Sequence, residues 1–267
     1  MIDPSRVPTG INPSVPNAAR MYDYYLGGKD NFAADREAAE KIMALAPGKE
    51  ICLANRHFLG RAVRYAATRG IDQFIDLGTG LPNLNNVHQV AREIHPEARV
   101  AYVDHDPVVI VHARALLAGT DPYLTTVHAD VREPASILDA PATRKLIDFG
   151  RPVGVVLLGV LHYLTDEDDP WGVVAAFRER LAPGSALIVS HATDDAHPEV
   201  GKAVRKVYDE VDTPLVHRGR EQVTRMFEGF ETVEPGVTNV ADWRPDEASE
   251  RKLPGSEWWY VGVAHKP

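Results

Sequence analysis

Short β-branched runs alternate with stretches of helical period through the middle of this chain, and that rhythm restricts its fold more than any other feature. The runs are Gln73–Leu77, Val100–Val103, Thr125–His128, Val153–Leu158 and Ala186–Ser190. Between them Val109, Ala113, Leu116 and Leu117 recur at helical spacing, as do Val173, Val174, Phe177 and Leu181. Asp169 is placed to cap the second of these helices and Pro170 to open it. Such alternation implies parallel strands joined by helical crossovers, hence a doubly wound α/β sheet. Val153–Leu158 is apolar on both faces, as a central parallel strand must be.

Both ends depart from the rhythm. Before Gln73 the chain reads as helices, with Leu59, Ala62, Val63 and Ala66 forming one apolar stripe and Gly70 supplying a stop. After Ser190 come helices around Val200–Val211 and Glu221–Phe227, then two strands, Glu231–Val237 and Trp258–Ala264. The gap between those strands lacks room for a full crossover, so they are expected to close the sheet as an antiparallel pair. The expectation is a seven-stranded, mostly parallel sheet over residues 71–267, preceded by a helical cap at residues 1–70.

Composition narrows the class. Of 267 residues 44% are hydrophobic and 25% charged, which excludes collagen-like and largely disordered chains. No apolar run is long enough to span a bilayer, and no charged segment followed by an apolar one opens the chain. The single cysteine, Cys52, forms no internal disulfide, and the expected compartment is the cytoplasm. A net charge of −9 disfavours a nucleic-acid partner. Lys202, Arg205, Lys206, Arg218, Arg220 and Arg225 are interspersed with Asp209, Glu210, Asp212 and Glu221, the pattern of a solvated helical face.

One carboxylate stands at the end of each of the first three strands: Asp76, Asp104 and Asp130, with gaps of 28 and 26 residues. In a doubly wound sheet these ends border the crevice that receives ligands. Three acids there suit a ligand that is cationic, rich in hydroxyls, or both. A dinucleotide fingerprint would need a third glycine after Gly78 and Gly80, but that place holds Asn83 behind Pro82. Asp76 would also set a negative charge beside a diphosphate. An NAD(P)-dependent oxidoreductase is therefore the weaker reading, and a cofactor with a ribose and a cation fits better.

Asp76-Leu77-Gly78-Thr79-Gly80, Val103-Asp104 and Asp130 resemble the motif series of class I methyltransferases, which have a Rossmann-like sheet. The resemblance implies S-adenosylmethionine as cofactor and S-adenosylhomocysteine as product. It sets Asp76 near the methionine amino end, Gly78, Thr79, Gly80 and Leu81 against the cofactor, and Asp104 on the ribose. His105 would lie against the adenine and Asp130 would accept its amino hydrogens, with Val131 and Gly159 also among the cofactor-binding residues. A narrower resemblance begins at Asn17-Ala18-Ala19-Arg20-Met21-Tyr22-Asp23-Tyr24-Tyr25-Leu26-Gly27-Gly28-Lys29-Asp30-Asn31-Phe32. It continues through Asn55-Arg56, Gly80-Leu81-Pro82, Asn86-Val87-His88, Val103-Asp104-His105-Asp106-Pro107 and Pro235-Gly236. These are similar to the landmarks of a bacterial family of S-adenosylmethionine-dependent methyltransferases long classed as a domain of unknown function. The family leaves the methyl acceptor open.

Several residues carry two readings. His162, where the fourth strand leaves the sheet, is either a base for a hydroxyl acceptor or a loop-fixing histidine. Its neighbour Tyr163 is a further catalytic candidate that equally serves packing, and His191 sits at a similar edge. The segment around Gly27-Gly28-Lys29 is either a lid, with Lys29 or Asn31 reaching the methionine carboxylate, or a turn between helices. Arg56 is a second carboxylate partner or a surface arginine. Asp166, Glu167, Asp168 and Asp169 read as helix capping rather than metal binding, and no metal is expected. Trp243 and Arg244 are candidates for an acceptor pocket, whereas Trp258 and Trp259 read as core strand. The expected function is methyl transfer to a small molecule, with a non-catalytic S-adenosylmethionine-binding module as the alternative from another class.

Overall fold

The computed structural model of the chain describes residues 12–82, 85–115, 121–246 and 254–267. Five of its strands run parallel: β1 (Gln73–Leu77), β2 (Arg99–Asp104), β3 (Leu124–His128), β4 (Gly154–Leu158) and β5 (Ala186–Ala192). Their order, β3-β2-β1-β4-β5, reverses direction between β1 and β4. That reversal opens a crevice above the carboxyl ends of β1 and β4. All five residues of β1 are buried, because helices cover both sides of the sheet. Asn83, Leu116 and Leu117 lie outside the described residues.

Three helices precede the sheet: α1 (Ala18–Tyr25), α2 (Ala33–Met43) and α3 (Gly48–Thr68). The stripe Leu59, Ala62, Val63 and Ala66 is buried in the same core as β1 and β4, so α3 packs directly on the sheet. The remaining helices are α4 (Val87–Arg92), α5 (Pro107–Ala113), α6 (Pro134–Leu138), α7 (Pro141–Leu146), α8 (Pro170–Arg180), α9 (Pro198–Tyr208) and α10 (Arg220–Arg225). Helices α5 to α9 each open on a proline, where a missing N–H costs no helical hydrogen bond. Asp169 caps α8 by accepting the Gly172 N–H at 3.0 Å.

The carboxyl-terminal part differs from the pattern in the sequence. Glu231–Val237 does not form one strand. Only β6 (Glu231–Thr232) and β7 (Thr238–Asn239) pair, both with β8 (Trp259–His265), which runs antiparallel beside β5. Pro235 has no N–H to give a ladder, and Gly236 turns the chain at φ +78°. Among the described residues the sheet therefore has seven strands along one path, with the short β7 as an eighth beside β8. Trp258 ends a short 3₁₀ turn instead of joining the strand, and it stacks on His197 with ring centres 5.3 Å apart.

Trp243 does not reach an acceptor pocket. It is wholly buried, edge-on to Phe58 and Tyr65 at 5.3 and 5.8 Å. Arg61 binds that loop through the carbonyls of Trp243 and Val240, at 3.0 and 2.7 Å. Arg244 lies over the Tyr65 ring in the same region.

Candidate active site

The turn after β1 forms the floor of the site. Gly78 and Gly80 both take φ +65°, and the N–H groups of Gly78 and Thr79 bond to the Val103 carbonyl at 2.8 and 3.1 Å. A side chain at Gly78 would meet Val160 Cγ2 at 2.3 Å, so glycine alone allows the turn to touch the segment leaving β4. Asp104 ends β2 almost wholly buried. Its Oδ2 accepts the Gly80 N–H and its Oδ1 the Asp106 N–H, each at 2.9 Å. Asp106 in turn caps α5 through the Val108 N–H at 2.7 Å. Burial raises the Asp104 carboxyl above its ordinary range, and those two N–H donors oppose the rise.

Helix α1 is the roof. Asp35, on α2, accepts from Asn17 N, Phe32 N and Arg20 Nε at 2.9, 2.7 and 2.8 Å, all within buried surroundings. On the other side the Asn17 amide reaches Asp212, and Tyr22 donates its hydroxyl to the Cys52 carbonyl at 3.2 Å. Ala19 packs on Leu81, Val108 and Val109. The roof is thus tied to α2, α3, α5 and the loop after α9.

Between floor and roof lies a cavity of about 380 Å³. Gly78, Thr79, Gly80, Leu81, Asp104, His105, Asp130, Val131, Gly159, Arg56 and Tyr163 all border it. Asp130 is gripped by Arg132, whose Nε and Nη2 lie 3.0 and 2.5 Å from its two oxygens, and this pairing lowers its pKa. Asp76 stands behind the wall, 92% buried, accepting the Thr79 hydroxyl at 2.8 Å. Burial pushes its pKa up to about 6, with Thr79 and Arg56 acting in the opposite sense.

Four other candidates do not reach the cavity. Lys29 is exposed and away from it. Asn31 is buried but commits its amide to Asp23 and the Gly28 carbonyl, at 2.9 and 3.1 Å. His162 turns its ring into the core, in a 3₁₀ turn (Leu161–Tyr163), with ring centres 4.2 Å from Tyr163 and 5.5 Å from Trp259. Its Nδ1 accepts the Ala192 N–H at 3.4 Å, which puts the proton of the neutral ring on Nε2 and leaves no lone pair for an acceptor's proton. Burial holds it well below the usual histidine range, with His191, His217 and Arg218 acting in the same sense. His191 is likewise buried. Its Nδ1 bonds to the Ala192 carbonyl and its Nε2 accepts from Arg218, and burial lowers its pKa to about 3.

Other residues complete the walls. Asn17, Tyr22, Asp23 and Leu26 enter from α1, Arg132 from the turn after β3, and Asp212, Thr213 and Pro214 from the loop after α9. Arg218, which the charge pattern assigns to a solvated face, is 1% exposed. It donates to the Leu161 and Leu164 carbonyls at 3.1 and 2.9 Å and to Asp166 at 2.6 Å, fixing the loop that presents Tyr163. A buried arginine bonded through both terminal nitrogens carries no periodic signal. Tyr22 and Asp23 do stand inside the front signature, and only their direction was illegible.

A family model described as S-adenosyl methyltransferase matches residues 4–267. A solved structure from Thermobifida fusca YX, provisionally named a methyltransferase, is 44% identical with a TM-score of 0.90 over 98% of each chain. A DUF574 family protein of Streptomyces avermitilis MA-4680 is 38% identical with a TM-score of 0.88, over 95% of this chain and 98% of that one. No curated protein matches the chain.

Proposed function

Because the chain belongs to the S-adenosyl methyltransferase family, and so uses S-adenosylmethionine to transfer methyl groups, we propose that its cofactor lies in the cavity beneath α1 and that the acceptor is a small molecule. The observation that carries this reading is the meeting of three strand ends, with Asp104, Asp130 and the Gly78–Gly80 turn, on one cavity faced by the Arg56 guanidinium. The donor set suits the cofactor. Asp104 keeps lone pairs for ribose hydroxyls beyond those given to Gly80 and Asp106. Arg56 suits the methionine carboxylate, and His105 with Val131 flanks the adenine. Asp76, set back from the wall, would act on the amino end only through the turn it steadies.

When bound, S-adenosylmethionine would supply an activated methyl group, with S-adenosylhomocysteine as the product. The chain's part is to align the acceptor and keep water out. Among the described residues, those from 12 to 70 act as the cap over the core that follows, with α1 as the covering element. With the His162 Nδ1 lone pair engaged by the Ala192 N–H, the preference for hydroxyl acceptors that rested on it lapses.

The volume of this cavity lies within the range of small-molecule sites, which suits the cofactor. No helix among the described residues is long and apolar enough to cross a membrane. The net charge of −9 argues against nucleic acid, and the cytoplasm is the compartment we assign. The test is S-adenosylhomocysteine release across a panel of small amines, phenols and thiols. Release with at least one of them supports the reading. Tight cofactor binding with no release from any acceptor favours a non-catalytic binding module.

A further inference from the structure

A second cavity, of about 90 Å³, lies behind the first, and the two share Ala18, Tyr22 and Tyr163 as walls. Tyr25, Cys52, Tyr208, Trp258 and Trp259 enclose much of the rest. No Asp, Glu, Lys or Arg borders it among the described residues, and of its two histidines His162 is buried and His217 half-buried, burial lowering the pKa of each. Such walls would penalise a charged ligand group heavily. One polar atom there is unsatisfied: the Tyr25 hydroxyl is buried without a hydrogen-bond partner, in a residue 7% exposed. A buried unpaired hydroxyl costs about 1–3 kcal/mol, so it calls for a partner. Tyr163 and Tyr208, by contrast, bond to each other.

We propose that this second cavity is the acceptor subsite, receiving the uncharged, apolar end of a compact aromatic acceptor that also hydrogen-bonds to the Tyr25 hydroxyl. The proposal rests on the cofactor occupying the larger cavity. Enclosing a whole benzene ring takes about 150 Å³, so the smaller cavity holds part of a ring or a short substituent. The reactive atom then falls at the junction beside Tyr22 and Tyr163. The tyrosines there are held protonated by burial, and His162 has its lone pair engaged. The attacking atom must therefore bring its own lone pair, as an aromatic amine or ring nitrogen does. An amine's surplus proton leaves to water once the product departs, whereas a ring nitrogen has none to lose and becomes a quaternary cation.

The test titrates the S-adenosylhomocysteine complex with aniline, quinoline and benzoate, reading the emission of Trp258 and Trp259. Two variants accompany the wild type. Val204→Phe fills the small cavity, and Tyr25→Phe removes only the hydroxyl. Aniline and quinoline should bind and benzoate should not. Val204→Phe should abolish that binding, and Tyr25→Phe should weaken it about 3- to 10-fold, with S-adenosylhomocysteine affinity unchanged in both. Tyr25→Phe loses no native hydrogen bond, so it keeps the test open if Val204→Phe misfolds. Aromatic binding unaffected by Tyr25→Phe and by a folded Val204→Phe, or no aromatic binding to a complex that does form, would overturn the acceptor subsite. Absence of S-adenosylhomocysteine binding would instead overturn the cofactor reading beneath it.

Discussion

Asn17 donates its side-chain amide to Asp212 at 2.7 Å, joining residues 195 positions apart and latching the roof helix to the loop after α9. Both residues also border the larger cavity. Losing one such hydrogen bond costs about 1 kcal/mol. Asp212→Ala should therefore speed S-adenosylhomocysteine exchange about fivefold with little change in melting temperature. Stopped-flow displacement measures this, and an unchanged rate would mean that ligand exchange does not pass the Asn17–Asp212 contact.

The Asp35 carboxylate holds the other side of the roof. It is fully buried and meets Arg20, itself 4% exposed. Removing one partner of a buried ion pair leaves an uncompensated charge, at about 3–5 kcal/mol. Asp35→Ala should destabilise the fold by about that amount in urea unfolding. A loss below about 1 kcal/mol would show that Arg20 readily finds solvent.

The two turn glycines should behave differently. Both occupy the left-handed region, where a side chain costs about 1–2 kcal/mol. Gly78→Ala adds a collision with Val160, whereas a side chain at Gly80 meets nothing within 4 Å. Gly78→Ala should lower the melting temperature by roughly 5–15 °C through strain and overpacking together. Gly80→Ala should cost less stability but weaken cofactor binding, because Gly80 faces the cavity. Equal melting temperatures would contradict the packing argument.

Asp76 makes stability depend on pH. With its folded pKa raised to about 6 from 3.8, the native state holds more protons than the unfolded chain between those values. Stability from this group is therefore full below pH 3.8 and is lost as pH rises toward 6, by roughly 3 kcal/mol. The buried neutral histidines act oppositely: His191, lowered to about 3, contributes stability above pH 6.5 that is lost on acidification. The difference between wild type and Asp76→Asn isolates the first effect. Asp76→Asn should gain stability relative to wild type from pH 4 to 7. A constant difference across that range would rule out the raised pKa.

Much of this architecture was legible because it is periodic. The first five strands and the Asp169-Pro170 start of α8 follow from alternating runs and local capping rules, which depend on neighbouring residues only. The antiparallel closure by β8 follows from the short gap before it, but the alternation of Glu231–Val237 hides the break made at Pro235-Gly236. The three acids and the glycine turn were placed at strand ends by spacing alone. Side-chain direction was not. His162 stands at the expected edge, yet a single 3₁₀ turn carries its ring into the core and presents Tyr163 instead. The roof contacts were illegible for another reason: Asn17 and Asp212 meet only after the chain has folded, and no local pattern links them.

The central claim is that the cavity beneath α1 takes S-adenosylmethionine through Asp104. Calorimetric titration of wild type and Asp104→Ala with S-adenosylmethionine, S-adenosylhomocysteine and NAD tests it most directly. The two sulfur compounds should bind the wild type and NAD should not. Asp104→Ala should weaken both by at least about tenfold, since hydrogen bonds to a charged group contribute about 1.5–3 kcal/mol. Binding of NAD alone, or an affinity for S-adenosylhomocysteine untouched by Asp104→Ala, would contradict it.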